Sequence, residues 1–124
     1  MHKRNFHVCI ILLFILAVSQ HADSEEGVNH EINHLLQYIE NSDCTFIRNG
    51  KAYDTVEARA HIQKKYDYFK DRIKTTEDFI THAATKSTMS GKPYKVRCND
   101  REMLCAEWLK VELERFRSTQ DYNR

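Results

Sequence analysis

The N-terminal segment constrains the fold most, because it decides in which compartment the chain folds. Two basic residues within the first four positions precede an unbroken apolar run from Val8 to Val18. Small and polar residues follow, and cleavage is expected after Ala22 or, alternatively, after Ser19. An apolar run this short is typical of a secretory signal peptide and not of a membrane span. We therefore predict that residues 1–22 are a signal peptide and that the rest of the chain acts outside the cytoplasm.

The chain that remains after cleavage is small and nearly neutral. Of the 124 residues, 102 remain, which is enough for one modest hydrophobic core and too few for two. Because Lys3 and Arg4 leave with the leader, the net charge changes from +1 to −1. This balance argues against nucleic-acid binding, which needs a clear basic excess. No second apolar run follows, so we expect no stable membrane span after cleavage; the alternative is an uncleaved leader that anchors the chain.

Hydrophobic periodicity predicts four helices in the mature chain. Apolar residues recur at helical spacing, and capping residues such as Asp54 and Thr75 precede the stripes. The helices are expected over 28–41, from 55 to about 74, from 76 to the turn at 90–93, and from a cap at 99–100 to about 117. The polar residues 118–124 are expected to form a frayed tail.

The strand signals lie between these helices. Asn49-Gly50 between two apolar runs is the strongest short-range signal for a β-hairpin, since a type I′ turn needs positive φ at both central residues. This turn places Phe46 opposite Tyr53. Alternation of apolar and basic residues over 94–98 predicts another half-buried strand.

The predicted fold class is therefore α+β. About four helices pack on a small antiparallel sheet, which consists of the hairpin 44–53 and the strand 94–98. We expect a single domain over residues 23–117, stapled by a disulfide.

Three cysteines remain after Cys9 leaves with the leader, so the number is odd. A bridge between Cys44 and Cys98 would close a loop of about 55 residues, for which the chain-entropy model gives roughly 4 kcal/mol. Cys105 lies at helical spacing with apolar residues and is interpreted as a buried free thiol. The alternatives for Cys105 are a bridge to Cys98 or a bond between two chains, which leaves the oligomeric state open.

His30, Glu31 and His34 match the pattern H-E-x-x-H, in which two histidines hold zinc and the glutamate activates a bound water. Helical spacing places both histidines almost opposite the apolar stripe of the first helix, on a face expected to be solvated. The motif lies too close to the mature N-terminus to follow a substrate-holding sheet, and no downstream ligand stands out. We therefore predict no metal site, no catalytic residue and no cofactor, and keep a minimal zinc-dependent hydrolase as the alternative function.

Two turn tips form the candidate binding surface, since loops carry function more often than core faces do. The residues selected are Arg48, Asn49, Tyr53, Lys92 and Tyr94. Their strands are expected to be neighbours in the sheet.

A second hypothesis concerns the basic residues of the strands. Arg48, Lys51, Lys95 and Arg97 could form one outward positive patch for an anionic envelope component such as a glycan or a lipid phosphate. A solvated sheet face is the favoured interpretation of these residues. His61 was interpreted as a histidine at the edge of the core.

Several segments together resemble a known family. They are Cys44–Tyr53, His61–Tyr66, Thr76–Ile80, Ser90–Cys98 and Trp108–Leu109. In this order they resemble the YfeK-like family of small periplasmic bacterial proteins, a domain of unknown function. The resemblance spans roughly residues 31–116. It implies a periplasmic location and a paired Cys44 and Cys98, and it implies no activity; the histidines of the first helix and Cys105 are not part of the family pattern.

The function expected from these observations is that of a small periplasmic, non-enzymatic binding or modulating module of the bacterial cell envelope. Its partner is expected to be another envelope protein or an anionic envelope component.

Overall fold

The computed structural model describes residues 24–124, in which four helices and four strands follow one another. The helices are α1 (Glu25–Glu40), α2 (Thr55–Phe69), α3 (Thr76–Ala83) and α4 (Cys105–Tyr122). The strands are β1 (Thr45–Arg48), β2 (Lys51–Tyr53), β3 (Lys95–Cys98) and β4 (Arg101–Leu104). Within these residues no helix is long and apolar enough to span a membrane. The predicted signal peptide, residues 1–22, lies outside the described residues.

Side-chain caps fix the beginnings of α2 and α3 where the sequence predicts them. The side chain of Asp54 accepts a hydrogen bond from the backbone N–H of Glu57 at 2.8 Å. Thr75 and Asp78 form a reciprocal capping box. Asp78 also accepts from the backbone N–H of Lys74 at 2.9 Å, which holds this residue ahead of α3. α2 ends at Phe69, before the predicted end near residue 74, and a single 3-10 turn follows it.

The predicted hairpin and its register are confirmed. Asn49 and Gly50 have φ values of 51° and 75°, as a type I′ turn requires. Phe46 pairs with Tyr53, and β1 also pairs antiparallel with β3. The full strand order is β2-β1-β3-β4, so the two turn tips of the candidate binding surface do belong to neighbouring strands.

A fourth strand corrects the predicted start of the last helix. Asn99 and Asp100 have φ values of 50° and 63°, so they form a second two-residue hairpin turn and not a helix cap. β4 pairs with β3 through Cys98 and Arg101, and α4 begins only at Cys105. Asn and Asp serve equally well in caps and in left-handed turns, which is why the sequence pattern was misread. At its other end α4 continues through Tyr122, past the predicted end near residue 117.

The hydrophobic core lies between one face of the sheet and the four helices. Phe46 and Val96 are buried neighbours on that face, while the residues flanking Val96 are exposed. Trp108 of α4 packs edge-on against Phe46 and lies against Tyr38 of α1. The predicted apolar stripe of α1 is confirmed, and Leu35 and Ile39 are among its fully buried members. The helices therefore cover the side of the sheet that carries Phe46.

The disulfide joins Cys44 and Cys98, as the family resemblance implies. It connects the residue that precedes β1 to the last residue of β3, so it staples the two central strands. Cys105 is buried and has no disulfide partner among the described residues. Burial raises the pKa of the Cys105 thiol to about 12, so the thiol stays protonated and unreactive at neutral pH.

Candidate functional site

The glutamate of the H-E-x-x-H segment is held by other side chains. Arg117 donates to both carboxylate oxygens of Glu31, at 2.7 and 3.0 Å, and the hydroxyl of Thr76 donates at 2.6 Å. Burial raises the pKa of Glu31, but the hydrogen bonds from Arg117 and Thr76 outweigh it, so the net pKa is lowered. Arg117 also pairs with Glu77. We call Glu31, Thr76, Glu77 and Arg117 the helix cluster, because it ties α1, α3 and α4 together.

His34 is engaged as well. Its Nε2 lies 2.8 Å from a carboxylate oxygen of the buried Glu112, and its ring stacks on Phe116 with centroids 3.9 Å apart. The predicted solvated face is therefore wrong at this residue, because α4 packs against that side of α1. His30 is exposed, with its ring 5.4 Å from that of Phe116. Within residues 24–124 no group of three or more His, Cys, Asp or Glu side chains is placed to hold a metal.

The four basic strand residues do not form one patch. Arg48 lies on the same side of β1 as the buried Phe46, because alternate strand residues share a face. Lys95 and Arg97 flank the buried Val96 and therefore point away from the helices, where both contact Glu102. The single outward patch, which was the less favoured interpretation, does not form, and Arg48 lies on the face of the hairpin that is turned toward the helices.

A cavity of about 190 Å³ lies between the hairpin and α2. Its wall is predominantly apolar and includes Phe46, Ile47, Ala58, Ile62 and Cys105. The cavity therefore combines an apolar interior with the polar side chains of one rim.

The rim is organised by Arg48. One guanidinium nitrogen lies 2.8 Å from Nδ1 of His61 and 3.1 Å from Nε2 of the same ring. The other donates to the hydroxyl of Tyr53 at 2.9 Å, and the guanidinium also lies 4.8 Å from the centroid of the Tyr53 ring. Together these contacts hold the planar guanidinium at the edge of the cavity.

Tyr94 completes this rim, and Lys65, which does not itself line the cavity, contacts Tyr94. The hydroxyl of Tyr94 lies 2.9 Å from Nε2 of His61 and accepts a hydrogen bond from Nζ of Lys65 at 3.1 Å. Lys65 also donates to the backbone carbonyl of Lys86 at 2.6 Å. We call Arg48, Tyr53, His61, Lys65 and Tyr94 the hairpin cluster.

The electrostatics of the hairpin cluster are those of crowded positive charge. Burial, reinforced by the charge of Arg48, lowers the pKa of His61 to about 4, so its imidazole is neutral at pH 7 and accepts from Arg48. Burial and the charge of Arg48 also lower the pKa of Lys65. Burial raises the pKa of Tyr94, which keeps the phenol protonated.

No carboxylate within the described part of the chain forms an ion pair with Arg48 or Lys65. Glu57 also lines the cavity, but its side chain is exposed and makes no such pair. The hairpin cluster thus offers several N–H and O–H donors and the cation of Arg48 at an apolar cavity, with a second cation, Lys65, bound to Tyr94 of the rim and no ion-paired carboxylate at either.

The predicted binding residues divide into two groups. Arg48, Tyr53 and Tyr94 all line the cavity. Asn49 instead contacts Ser87 and Ser90, which joins the hairpin tip to the neighbouring turn, and Lys92 of that turn is exposed.

Sequence reasoning missed the contribution of α2 to this site. The sequence predicts His61 at the edge of the core, and Lys65 is not among the predicted site residues. The signal was nevertheless present: residues 57, 61 and 65, together with Ala58 and Ile62, recur at a spacing of four and so share one face of a helix. Next to the hairpin, this stripe indicates that α2 contributes both apolar and polar side chains to the site.

The fold and the site together define a disulfide-stapled α+β domain with a cation-rimmed pocket. The chain belongs to the family of unknown function DUF5329, whose model matches residues 26–117. It is 34% identical over 88 residues to an uncharacterized protein of Salmonella typhimurium, YfeK. The matched region covers 70% of this chain and 73% of that protein, so the family assignment from the sequence is confirmed. No solved structure matches the chain.

Proposed function

We propose that this chain is a non-enzymatic binding module of the bacterial cell envelope, and that its ligand is an anion held by the hairpin cluster. The observation that carries the proposal is the guanidinium of Arg48 at the rim of an apolar cavity, with Lys65 hydrogen-bonded to Tyr94 of the same rim and no carboxylate of residues 24–124 paired with either cation. Charges in partly buried sites are normally paired. An anionic ligand would supply the missing partner and relieve the repulsion between the two cations.

The chemistry of the hairpin cluster supports binding more than catalysis. Its donors outnumber its acceptors, and the neutral His61 already accepts from Arg48. The thiol of Cys105 in the cavity wall is protonated and lacks a partner that would activate it. The arrangement therefore suits a site that recognises an oxyanion by several convergent hydrogen bonds.

The location follows from the leader and the disulfide. The pattern of residues 1–22 is that of a signal peptide, and the Cys44–Cys98 bond is stable in oxidising compartments such as the periplasm. We therefore place the binding module in the periplasm. Purification of the exported protein followed by N-terminal sequencing tests this placement. A start at Asp23 or Gln20 supports it, whereas retention of the leader in the cytoplasmic fraction contradicts it.

The proposed contact surface includes the five predicted residues, and they have two different roles. Arg48, Tyr53 and Tyr94 bind the anion, while Asn49 and Lys92 lie on the two adjoining turns. Asn49 donates to the hydroxyl of Ser87 and accepts from the hydroxyl of Ser90, and these hydrogen bonds hold those turns together.

Backbone amide NMR with two anionic probes, benzoate and glycerol 3-phosphate, tests the binding function. We expect at least one probe to shift resonances of the hairpin, of α2 around His61 and of Tyr94, and Lys65→Met to reduce these shifts. Lys95→Met is the matched control, because Lys95 lies on the opposite face of the sheet, and it should leave the shifts unchanged. Shifts that arise elsewhere, or that Lys65→Met does not reduce, would overturn the proposed site.

A further inference from the structure

The size of the cavity limits what its apolar interior can hold. The cavity measures about 190 Å³. An engineered apolar protein cavity of about 150 Å³ accommodates benzene, and sites for drug-sized molecules measure about 300–1,000 Å³. The space beside Ala58 and Ile62 therefore fits one aromatic ring or an aliphatic chain of similar volume, and no larger body.

The geometry of the rim limits the polar group. A guanidinium has five N–H donors in a plane. In Arg48 one nitrogen is directed to His61 and another to Tyr53, which leaves further N–H groups of the same plane without a partner among residues 24–124. Two oxygens in one plane, as in a carboxylate, match such a fork. The hydroxyl of Tyr53 accepts from Arg48, so its own proton is free to donate to the same oxygens.

The apolar and cationic parts of the site are adjacent, which favours ligands that have both features over ligands that have only one of them. A neutral ring would leave the guanidinium of Arg48 without an anion. A small hydrated anion would leave the wall formed by Ala58 and Ile62 in contact with water. We infer that the ligand is a monocarboxylate with one compact apolar group of about the size of a benzene ring. This inference rests on the proposed binding function and specifies its ligand class.

Calorimetric titration of the mature protein with four probes tests the ligand class. The probes are benzoate, benzyl alcohol, glycerol 3-phosphate and biphenyl-4-carboxylate. Benzoate should bind about tenfold more tightly than benzyl alcohol, which lacks the charge, and than glycerol 3-phosphate, which lacks the apolar group. Biphenyl-4-carboxylate should bind more weakly than benzoate, because its second ring exceeds the cavity.

Two variants locate the binding. Arg48→Met should weaken benzoate about tenfold and leave the weak binding of benzyl alcohol unchanged, whereas Lys95→Met should change neither. Ala58→Val reduces the cavity and should weaken benzoate without affecting glycerol 3-phosphate. If Ala58→Val does not fold, the probe series on the unmodified protein still decides between the ligand classes.

The outcomes separate this inference from the proposed function. If glycerol 3-phosphate binds at least as tightly as benzoate and Arg48→Met weakens it, the monocarboxylate class is overturned and the anion-binding function stands. Equal binding of biphenyl-4-carboxylate and benzoate would overturn the size limit. If no anionic probe binds in a manner that depends on Arg48, both proposals are overturned.

Discussion

The helix cluster and the hairpin cluster each contain an arginine, but they differ in whether carboxylates surround it. In the helix cluster, Arg117 is matched by Glu31 and Glu77. In the hairpin cluster, both cations contact only neutral groups. Arg48 contacts His61, and Lys65 contacts Tyr94. The side chain of Arg117 thus has its counter-ions within the chain, while the hairpin cations do not.

This difference separates a structural role from a binding role. The helix cluster joins three helices, and the charge of its arginine is compensated by carboxylates. One of these carboxylates is the glutamate of the H-E-x-x-H pattern, which on sequence grounds was a candidate for zinc-dependent hydrolysis. The hairpin cluster adds no ion pair to the fold, and it borders an apolar cavity. The presence of an arginine therefore does not distinguish the two roles. The presence or absence of carboxylates beside that arginine does.

The largest expected effect concerns the disulfide, which staples the sheet beside the hairpin cluster. Replacing both Cys44 and Cys98 with Ala should lower the free energy of unfolding by about 4 kcal/mol, because the unfolded chain is no longer cross-linked. Urea unfolding monitored by Trp108 fluorescence measures this. Amide exchange should increase more in β1 and β3 than in α1. A uniform increase would contradict the expectation that the strands depend on the disulfide more than the helices do.

The next effect concerns the helix cluster. Arg117→Met leaves the half-buried Glu31 without its charged partner and should lower the free energy of unfolding by about 2 kcal/mol. Benzoate affinity should not change. Arg101→Met, on the exposed strand β4, is the matched control and should have little effect on stability. An Arg117→Met variant as stable as the control would show that the helix cluster does not hold the helices together.

The pH dependence distinguishes the two clusters in another way. His61 faces Arg48 of β1, Lys64 and Lys65 of α2, and Tyr94. Its pKa is about 4 in the folded protein and has an ordinary value of 6.5, so between these values the unfolded chain binds a proton that the folded chain does not. The stability contributed by the neutral imidazole is therefore fully present above pH 6.5 and is lost as the pH falls through 4.

The carboxylates of the helix cluster change the stability in a lower pH range. The pKa values of Glu31 and Glu77 are lowered from 4.5, so their contribution is lost only below that pH. An NMR titration of the His61 ring should show a midpoint near 4. A midpoint near 6.5 would show that neither burial nor the neighbouring cations disfavour the charged imidazole of His61.

The smallest expected effect concerns the carboxylate at the cavity wall. Glu57 repels an incoming anion, so Glu57→Gln should tighten benzoate binding by about twofold at low salt, and added salt should remove the gain. Calorimetric titration at two ionic strengths measures this. Weaker binding by Glu57→Gln would indicate that this residue contacts the ligand favourably and that the ligand is not a simple anion.

Local signals in the sequence predicted much of the fold. The Asn49-Gly50 turn determined the register of the first hairpin, and the caps at Asp54 and Thr75 placed two helix starts correctly. The same reasoning failed at Asn99-Asp100, because a left-handed turn and a helix cap use the same residue types. Which of the two forms there depends on the pairing of β4 with β3, a tertiary interaction.

The candidate site was predicted in part for a related reason. Arg48 and Tyr94 were selected because they lie at turns, but His61 and Lys65 come from a helix whose face toward the hairpin is fixed by packing. Conversely, the spacing of α1 predicts a solvated His34, because the sequence of α1 does not contain the position of α4. A pattern within one segment does not predict the polar contacts that this segment makes with distant parts of the chain.

The most direct test of the account is the benzoate affinity of Arg48→Met compared with that of Arg117→Met. The two variants remove the same charge, one from the cluster without carboxylates and one from the cluster that has them. The account predicts that Arg48→Met weakens binding about tenfold and that Arg117→Met retains the affinity of the unmodified protein. Equal affinities for both variants would contradict the claim that the uncompensated hairpin cations form the binding site.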